Sequence, residues 1–503
     1  MHDLIVVSDL HLGRGKNPTT GRYYELEAFF FDEDFLRFCR YLCEDAARRS
    51  VPFKLVLNGD TFDLLRLDPV PLAGDEHVVS RFAPVMTPSR AAAEAERIMG
   101  GHPLLVEALA TVLDEGHEII VLPGNHDVEV QWAPVREAMA ECIASHSRLP
   151  PDRLDEALSR LMFLDWFYYE PGRIWVEHGC QYDPENAFRY PLRGDLVDEP
   201  DALHEAELDN PIGNFFQRYL YNAFGHITFI VPSTRANSRY MKWLVFNDPQ
   251  LLLRIVNSHW RFWWQVLRRV GKYPSRQRTR LAQAHERRLK ALASSSELGD
   301  DLLAIDALKE TRTDVSAALQ SFSRQALRLL WRMFGVGTLV FGLWFFAIHG
   351  LNELRVGLVP KAVAFLIFGF VFLFTAFGAV LYSLFRSSPA VPPQPMRRAA
   401  AAIARRLDVP LVTFGHTHDE VLWRQQRAAG EPSWYFNTGT WIAVFTHDVL
   451  LPRERVQYTF LRVRGHEGEL MSWSPGRGEP KPVILLDEAA GAAGPRESPE
   501  PAS

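Results

Sequence analysis

Five short polar motifs, each just past a brief apolar run, constrain this chain more than any other feature. They are Asp9-Leu10-His11, Gly59-Asp60-Thr61-Phe62-Asp63, Gly124-Asn125-His126-Asp127, His178-Gly179 and Gly415-His416-Thr417-His418. The runs before them, Leu4 to Val7, Lys54 to Leu57, Glu118 to Leu122, Ile174 to Glu177 and Leu411 to Phe414, have the length and β-branched character of buried strands. Loops at the carboxyl ends of sheet strands are where α/β folds place their sites, so motifs roughly 400 residues apart can meet.

The intervening sequence supplies helices. Asp32 to Arg49 puts Phe35, Phe38, Cys39 and Leu42 on one face, and Pro103 to Glu115 does the same with Leu105, Leu109 and Val112. Pro103 suits a first helical residue and Gly116 a helix stop. The stretch 66–101, rich in Pro and Ala, reads as an irregular insertion near the strand ends, in the position of a lid. A helix near Met396 to Leu407 and strands at 411–414, 434–437 and 441–445 resume the pattern.

Residues 1–186 and 405–475 therefore form two parts of one α/β domain. A helical, basic and aromatic insertion fills 187–333, a hairpin 334–386, and a Pro-rich linker with the start of the returning helix 387–404. The tail, 476–503, is expected to be mostly disordered, being rich in Ala, Gly, Pro and Glu from about Glu488.

The hairpin is the second strong feature. Phe334 to Leu351 and Ala362 to Phe385 contain no Lys, Arg, Asp or Glu. As helices they would reach about 27 and 36 Å, against a bilayer core of about 30 Å. Arg324, Arg328 and Arg332 before the pair, and Arg386, Arg397 and Arg398 after it, outnumber Arg355 and Lys361 in the loop between. The expectation is a two-span membrane protein with its catalytic domain facing the cytoplasm. Between Arg254 and Lys290, eleven Lys/Arg and the single acid Glu286 are interleaved with Trp260, Phe262, Trp263 and Trp264, which suits an anionic membrane surface.

Composition excludes several classes. With 47% hydrophobic and 23% charged residues the chain is neither collagen-like nor wholly disordered. A net charge of −6 is wrong for a dedicated nucleic-acid binder, and no nucleic-acid partner is expected. Cys39, Cys43, Cys142 and Cys180 are too few and scattered for a disulfide framework. With no signal peptide ahead of Leu4, a reducing compartment is expected.

The motif side chains make a metal-ligand set. Carboxylate, imidazole and amide donors without thiolates favour Mn²⁺, Fe²⁺ or Zn²⁺. Asp9, His11, Asp60, Asn125, His178, His416 and His418 outnumber the ligands of one ion, so two divalent ions are expected, most simply Mn²⁺. Two such ions clamp a phosphate and activate water for in-line displacement. His126, an imidazole titrating near neutrality, suits a general acid. Asp63 is open between a hydrogen bond to a ligand and a simple turn or cap. Arg14, Lys16, Arg189 and Arg193 follow two of the motifs and are candidates for contact with a phosphate. Cys180 reads as a packed thiol.

In this order the motifs resemble those of the calcineurin-like metallophosphoesterases, over about half the chain. The resemblance implies a four-layer α/β/β/α sandwich, interrupted here by the insertion with its hairpin. It also implies one metal on Asp9, His11, Asp60 and His418, and another on Asp60, Asn125, His178 and His416, with Asp60 bridging. His126 would donate a proton to the leaving oxygen or touch the phosphate, oriented by Asp127.

Ser8-Asp9-Leu10-His11-Leu12-Gly13 and Asn437-Thr438-Gly439-Thr440-Trp441 look most like the UDP-2,3-diacylglucosamine diphosphatases. That subgroup carries Arg at the position of His126 and Asp at that of Cys180, and lacks a spanning hairpin. The expected function is a membrane-anchored phosphohydrolase cleaving a phosphodiester or diphosphate, in a lipid-linked substrate. Two alternatives stay open: the same chemistry on a soluble nucleotide, phosphoprotein or phosphomonoester, and a non-catalytic membrane scaffold. The oligomeric state is not legible.

Overall fold

The computed structural model describes residues 2–67, 86–184, 186–192, 275–310, 394–428, 430–445 and 454–483, isolated residues at 211–217, the pair 229–230, and parts of 331–385. Two compact units result, Met1–Thr313 with Pro392–Ser503, and Asp314–Val391.

The first unit is built on two sheets. Strands β1 (Asp3–Val7), β2 (Phe53–Asn58), β3 (Glu118–Leu122) and β4 (Leu161–Phe163) run parallel in that order. Their sheet continues on the other side of β1, antiparallel, through β13 (Thr459–Arg464), β14 (Glu467–Ser474) and β15 (Glu479–Pro482). In the second sheet β5 (Phe167–Glu170), β6 (Ile174–Glu177), β8 (Leu411–Phe414), β10 (Pro432–Thr438) and β9 (Glu420–Gln426) lie in that spatial order. There β6, β8 and β10 are parallel, and the two outer strands are antiparallel. A short third sheet joins β7 (Phe229–Ile230), β11 (Ala443–Phe445) and β12 (Glu454–Val456). Strand β7 lies inside the insertion, where the sequence shows no strand signal.

Side-chain alternation along β1 and β2 explains the layering. Leu4, Val6 and Val56 pack with Ile174, Val176, Leu411 and Phe436, closing the two sheets face to face. Ile5, Val7, Leu55 and Leu57 point the other way, into a core shared with helices α1 (Asp32–Arg49), α2 (Pro88–Gly101), α3 (Pro103–Asp114), α4 (Ala133–Ala144) and α5 (Pro151–Leu158). On the far side of the second sheet, Trp175, Val412, Phe414 and Tyr435 meet α6 (Ser275–Ser295), α7 (Asp300–Asp306) and α9 (Gln394–Leu407). The result is four layers, helix, sheet, sheet, helix.

Three sequence expectations change. Residues 88–101 are helix α2 rather than irregular chain. Thr87 caps it by accepting from Arg90 N at 3.2 Å, Pro88 opens it, and Ala91, Ala95, Ile98 and Met99 give it a buried face. Ordered structure runs past residue 475 to β15, while the end of the tail lies outside the described residues.

The third change is a correction to the transmembrane hairpin at 334–351 and 362–385, and with it to the two-span membrane location. Among the described residues no helix is long and apolar enough to cross a membrane. A span needs about 20 consecutive apolar residues in one helix. The first run is described only as helical pieces between 331 and 350, and the second lies in α8 (Leu358–Phe385). Trp260, Phe262, Trp263 and Trp264, expected at a membrane surface, lie outside the described residues. Helix α6, the described part of that segment, buries Leu281, Ala284, Leu289 and Ala293 in the protein.

Candidate metal centre

The five motifs converge. Each follows the carboxyl end of β1, β2, β3, β6 or β8, and the two sheets bring those ends together. Asp9, His11, Asp60, His416 and His418 all have φ between 48° and 72°, in the left-handed region that side chains with a Cβ avoid. Such strain persists only where surroundings over-determine it. Here the surroundings leave little choice. A Cβ at Gly124 would lie 2.0 Å from Asp60 Oδ1, and one at Gly59 would lie 2.5 Å from His178 Nδ1, so neighbouring loops approach through bare backbone.

Besides a group made by His11, Asp60 and His126, two sets of donors form. In the first, His418 Nε2 lies 3.2 Å from Asp9 Oδ1 and 2.9 Å from His11 Nε2. In the second, His178 Nε2 lies 3.2 Å from Asp60 Oδ2 and 3.3 Å from Asn125 Oδ1, and His416 joins Asp60 and His178 within 4.8 Å. Asp60 Oδ2 is also 3.7 Å from His11 Nε2, so one carboxylate faces both sets. All seven side chains are buried. These buried His and Asp groups can hold a metal ion, and the donor chemistry fits one: oxygen and imidazole nitrogen converge where an ion can replace protons.

Charge explains the protonation. Burial, with the His126 charge, pushes His11 down to about 4, which leaves a neutral ring with a lone pair at pH 7. Burial opposes a charge on His178 too, but Asp60 outweighs it and raises that ring to about 10. Burial likewise works to raise Asp60, yet the His178 and His126 charges hold it well below the usual carboxylate range. His178 Nδ1 lies 2.9 Å from the Asn58 carbonyl, to which it donates, directing Nε2 into the centre.

His126 stands beside the first set, its ring edge-on to His11 with centroids 4.5 Å apart. Its Nδ1 is 2.9 Å from Asp63 Oδ1, and the Arg66 guanidinium holds the same carboxylate at 2.9 Å. Burial disfavours its charged form, but Asp63 and Asp60 raise the imidazole above its ordinary value. Asp63, not Asp127, orients this ring. Asp127 instead accepts from the main-chain N–H groups of Asp60, Thr61, Phe62 and Gly124 at 2.6 to 3.2 Å, tying the second motif to the third. Burial and the nearby Asp60 charge push its carboxyl up to about 7.

Supporting residues with no motif of their own complete the site. Asp183 Oδ2 lies 2.9 Å from His416 Nε2, and the His416 N–H donates to both Asp9 oxygens at 3.0 and 3.1 Å. Gln457 donates to the His418 carbonyl and accepts from Thr440 N, each at 3.1 Å, while the Thr440 hydroxyl donates to the Asp9 carbonyl at 2.6 Å. Asn214, from the insertion, bonds to Asn125. Thr440 lies in a run noted from sequence; Asp183, Asn214 and Gln457 carried no signal.

The cations expected near a phosphate are placed less simply. Arg14 is engaged bidentately by Glu94 at 2.9 to 3.2 Å, and Lys16 is exposed over the Tyr23 ring. Arg189 is half-buried and Arg193 lies outside the described residues. Cys180 is buried, and burial raises its thiol well above the ordinary range, so it is packed rather than reactive. No family model matches this chain, and no curated protein matches it.

Proposed function

We propose that the chain is a calcineurin-like metallophosphoesterase that holds two divalent ions, most simply Mn²⁺, and hydrolyses a phosphodiester or diphosphate. The observation that carries this reading is two buried donor sets joined by Asp60, whose Oδ2 lies 3.2 Å from His178 Nε2 and 3.7 Å from His11 Nε2, with a carboxylate-oriented imidazole beside them. On this reading Asp9, His11 and His418 would hold one ion, Asn125, His178 and His416 would hold the other, and Asp60 would serve both. A bound pair of ions supplies Lewis-acid charge for a phosphoryl group and makes water more acidic.

The chain's own residues supply the rest. His126, whose charged form Asp63 and Asp60 favour, donates its Nε2 proton to the departing oxygen, and Asp63 stabilises and orients the ring. Arg66 holds Asp63 in place. Asp127 fixes the two loops that carry Asp60 and Asn125.

A lipid-linked substrate was expected from the basic-aromatic segment together with the spanning hairpin; the hairpin is withdrawn and Trp260, Phe262, Trp263 and Trp264 lie outside the described residues, so the proposal names only the phosphodiester or diphosphate. The test is hydrolysis of bis-p-nitrophenyl phosphate and p-nitrophenyl phosphate with and without Mn²⁺. Mn²⁺-dependent turnover faster on the diester is expected. Metal-loaded protein inactive on both, and on simple diphosphates, would overturn the proposal.

A further inference from the structure

Asn125 is the one amide among the seven proposed ligands, and it can face the centre with either end. Its oxygen would meet a cation; its NH2 group would repel one. What selects between them lies outside the five motifs. Asn214, 1% exposed, accepts from Asn125 Nδ2 through its Oδ1 at 2.9 Å and donates through Nδ2 to the Asn125 main-chain carbonyl at 2.6 Å. With Nδ2 engaged, Asn125 Oδ1 is left turned toward His178 Nε2 at 3.3 Å. A reversed amide would turn its N–H toward the His178 nitrogen and toward the place of the ion, where a cation needs an oxygen.

We propose that Asn214 is a positioning residue that locks the Asn125 amide with its oxygen inward, so that loading of the Asn125, His178 and His416 half depends on a residue supplied by the insertion. The inference rests on the two-ion reading above. It adds to that reading a control on one ion and not the other. Asp9, His11 and His418 lie on the loops after β1 and β8, whereas Asn214 bonds to Asn125 on the loop after β3, so a change at Asn214 acts on the two ions unequally.

Equilibrium dialysis of the full chain against Mn²⁺, with metal counted by mass spectrometry, tests it. Wild-type protein is expected to take up two ions. Asn214→Ala should keep the tighter ion and bind the other about 10- to 100-fold more weakly, the usual cost of losing a residue that orients a ligand. Retention of the first ion, with an unchanged far-ultraviolet spectrum, reports that the fold survives; if Asn214→Ala does not fold, Asn214→Ser replaces it with the same expected loss. Unchanged uptake in the Ala or Ser variant, equal loss of both ions, or a single ion in the wild type would overturn the proposal. Two ions bound by a wild type that cleaves no ester would contradict the proposed function and leave this inference standing.

Discussion

Asp60 occupies a demanding position. Its carboxylate faces both donor sets, its backbone is left-handed at φ 50°, and Gly124 presses against it. Asp60→Asn should reduce bound Mn²⁺ below two per chain and bring hydrolysis to background, read by metal analysis beside a rate assay; an active variant would remove Asp60 from the bridging role. His126→Ala should keep both ions and slow turnover about 10²- to 10⁴-fold, the usual worth of a general acid. Asp63→Asn should slow it in the same direction, whereas the Asp127 assignment read from sequence would have left Asp63→Asn near wild type. The convergence of the proposed ligands was legible because each motif couples a strand end to donor atoms. The partner of His126 was not, since adjacency in sequence favoured Asp127 and only the fold turns Asp63 toward the ring. Asp183 and Asn214 reach the site by tertiary packing alone, which leaves no local pattern.

At the level of elements, the site is a set of loop crossings that leave no room for a side chain. Gly124→Ala places a methyl against Asp60 and should destabilise the protein by about 1–3 kcal/mol, as overpacking does, and lower metal occupancy as well. The loop after β1 is held by a second buried cluster. Glu27 accepts from the N–H groups of Gly13, Gly15, Ala28 and Phe29, and His102, at the start of α3, lies between Glu27 at 3.3 Å and Asp32 at 2.9 Å. Burial disfavours the His102 cation, but the two carboxylates outweigh it and raise the ring to about 9. A raised folded pKa contributes stability that is full below the ordinary 6.5 and lost as pH rises through about 9. The melting-temperature gap between wild type and His102→Gln should therefore shrink from pH 6 to pH 10; a constant gap would contradict it. Strands and amphipathic helices were legible from periodicity. Helix α2 was missed because its Ala-rich face carries little apolar contrast, and the hairpin was over-read because an absence of charge is not by itself a spanning helix.

For the molecule as a whole, the centre joins segments from both parts of the first unit. Residues 9–127, 178 and 416–418 come from both sheets, so an ion bound there crosslinks them. Ligand binding to the native state stabilises by about 2.7 kcal/mol at a hundredfold excess over Kd. Mn²⁺ should raise the unfolding temperature and chelation lower it, with no such response in Asp60→Asn. The two-part α/β domain was legible as a pattern that stops and resumes, and the layers follow from alternation on the strands. How the insertion reaches Asn125 was not, because nothing between 187 and 333 announces a partner for the third motif. The most direct measurement of the central claim is hydrolysis of bis-p-nitrophenyl phosphate by chelated protein titrated with Mn²⁺, beside Asp60→Asn. Turnover that rises as two ions bind and is absent in the variant is the predicted result. Turnover that ignores Mn²⁺, or persists in Asp60→Asn, would contradict a two-ion phosphohydrolase.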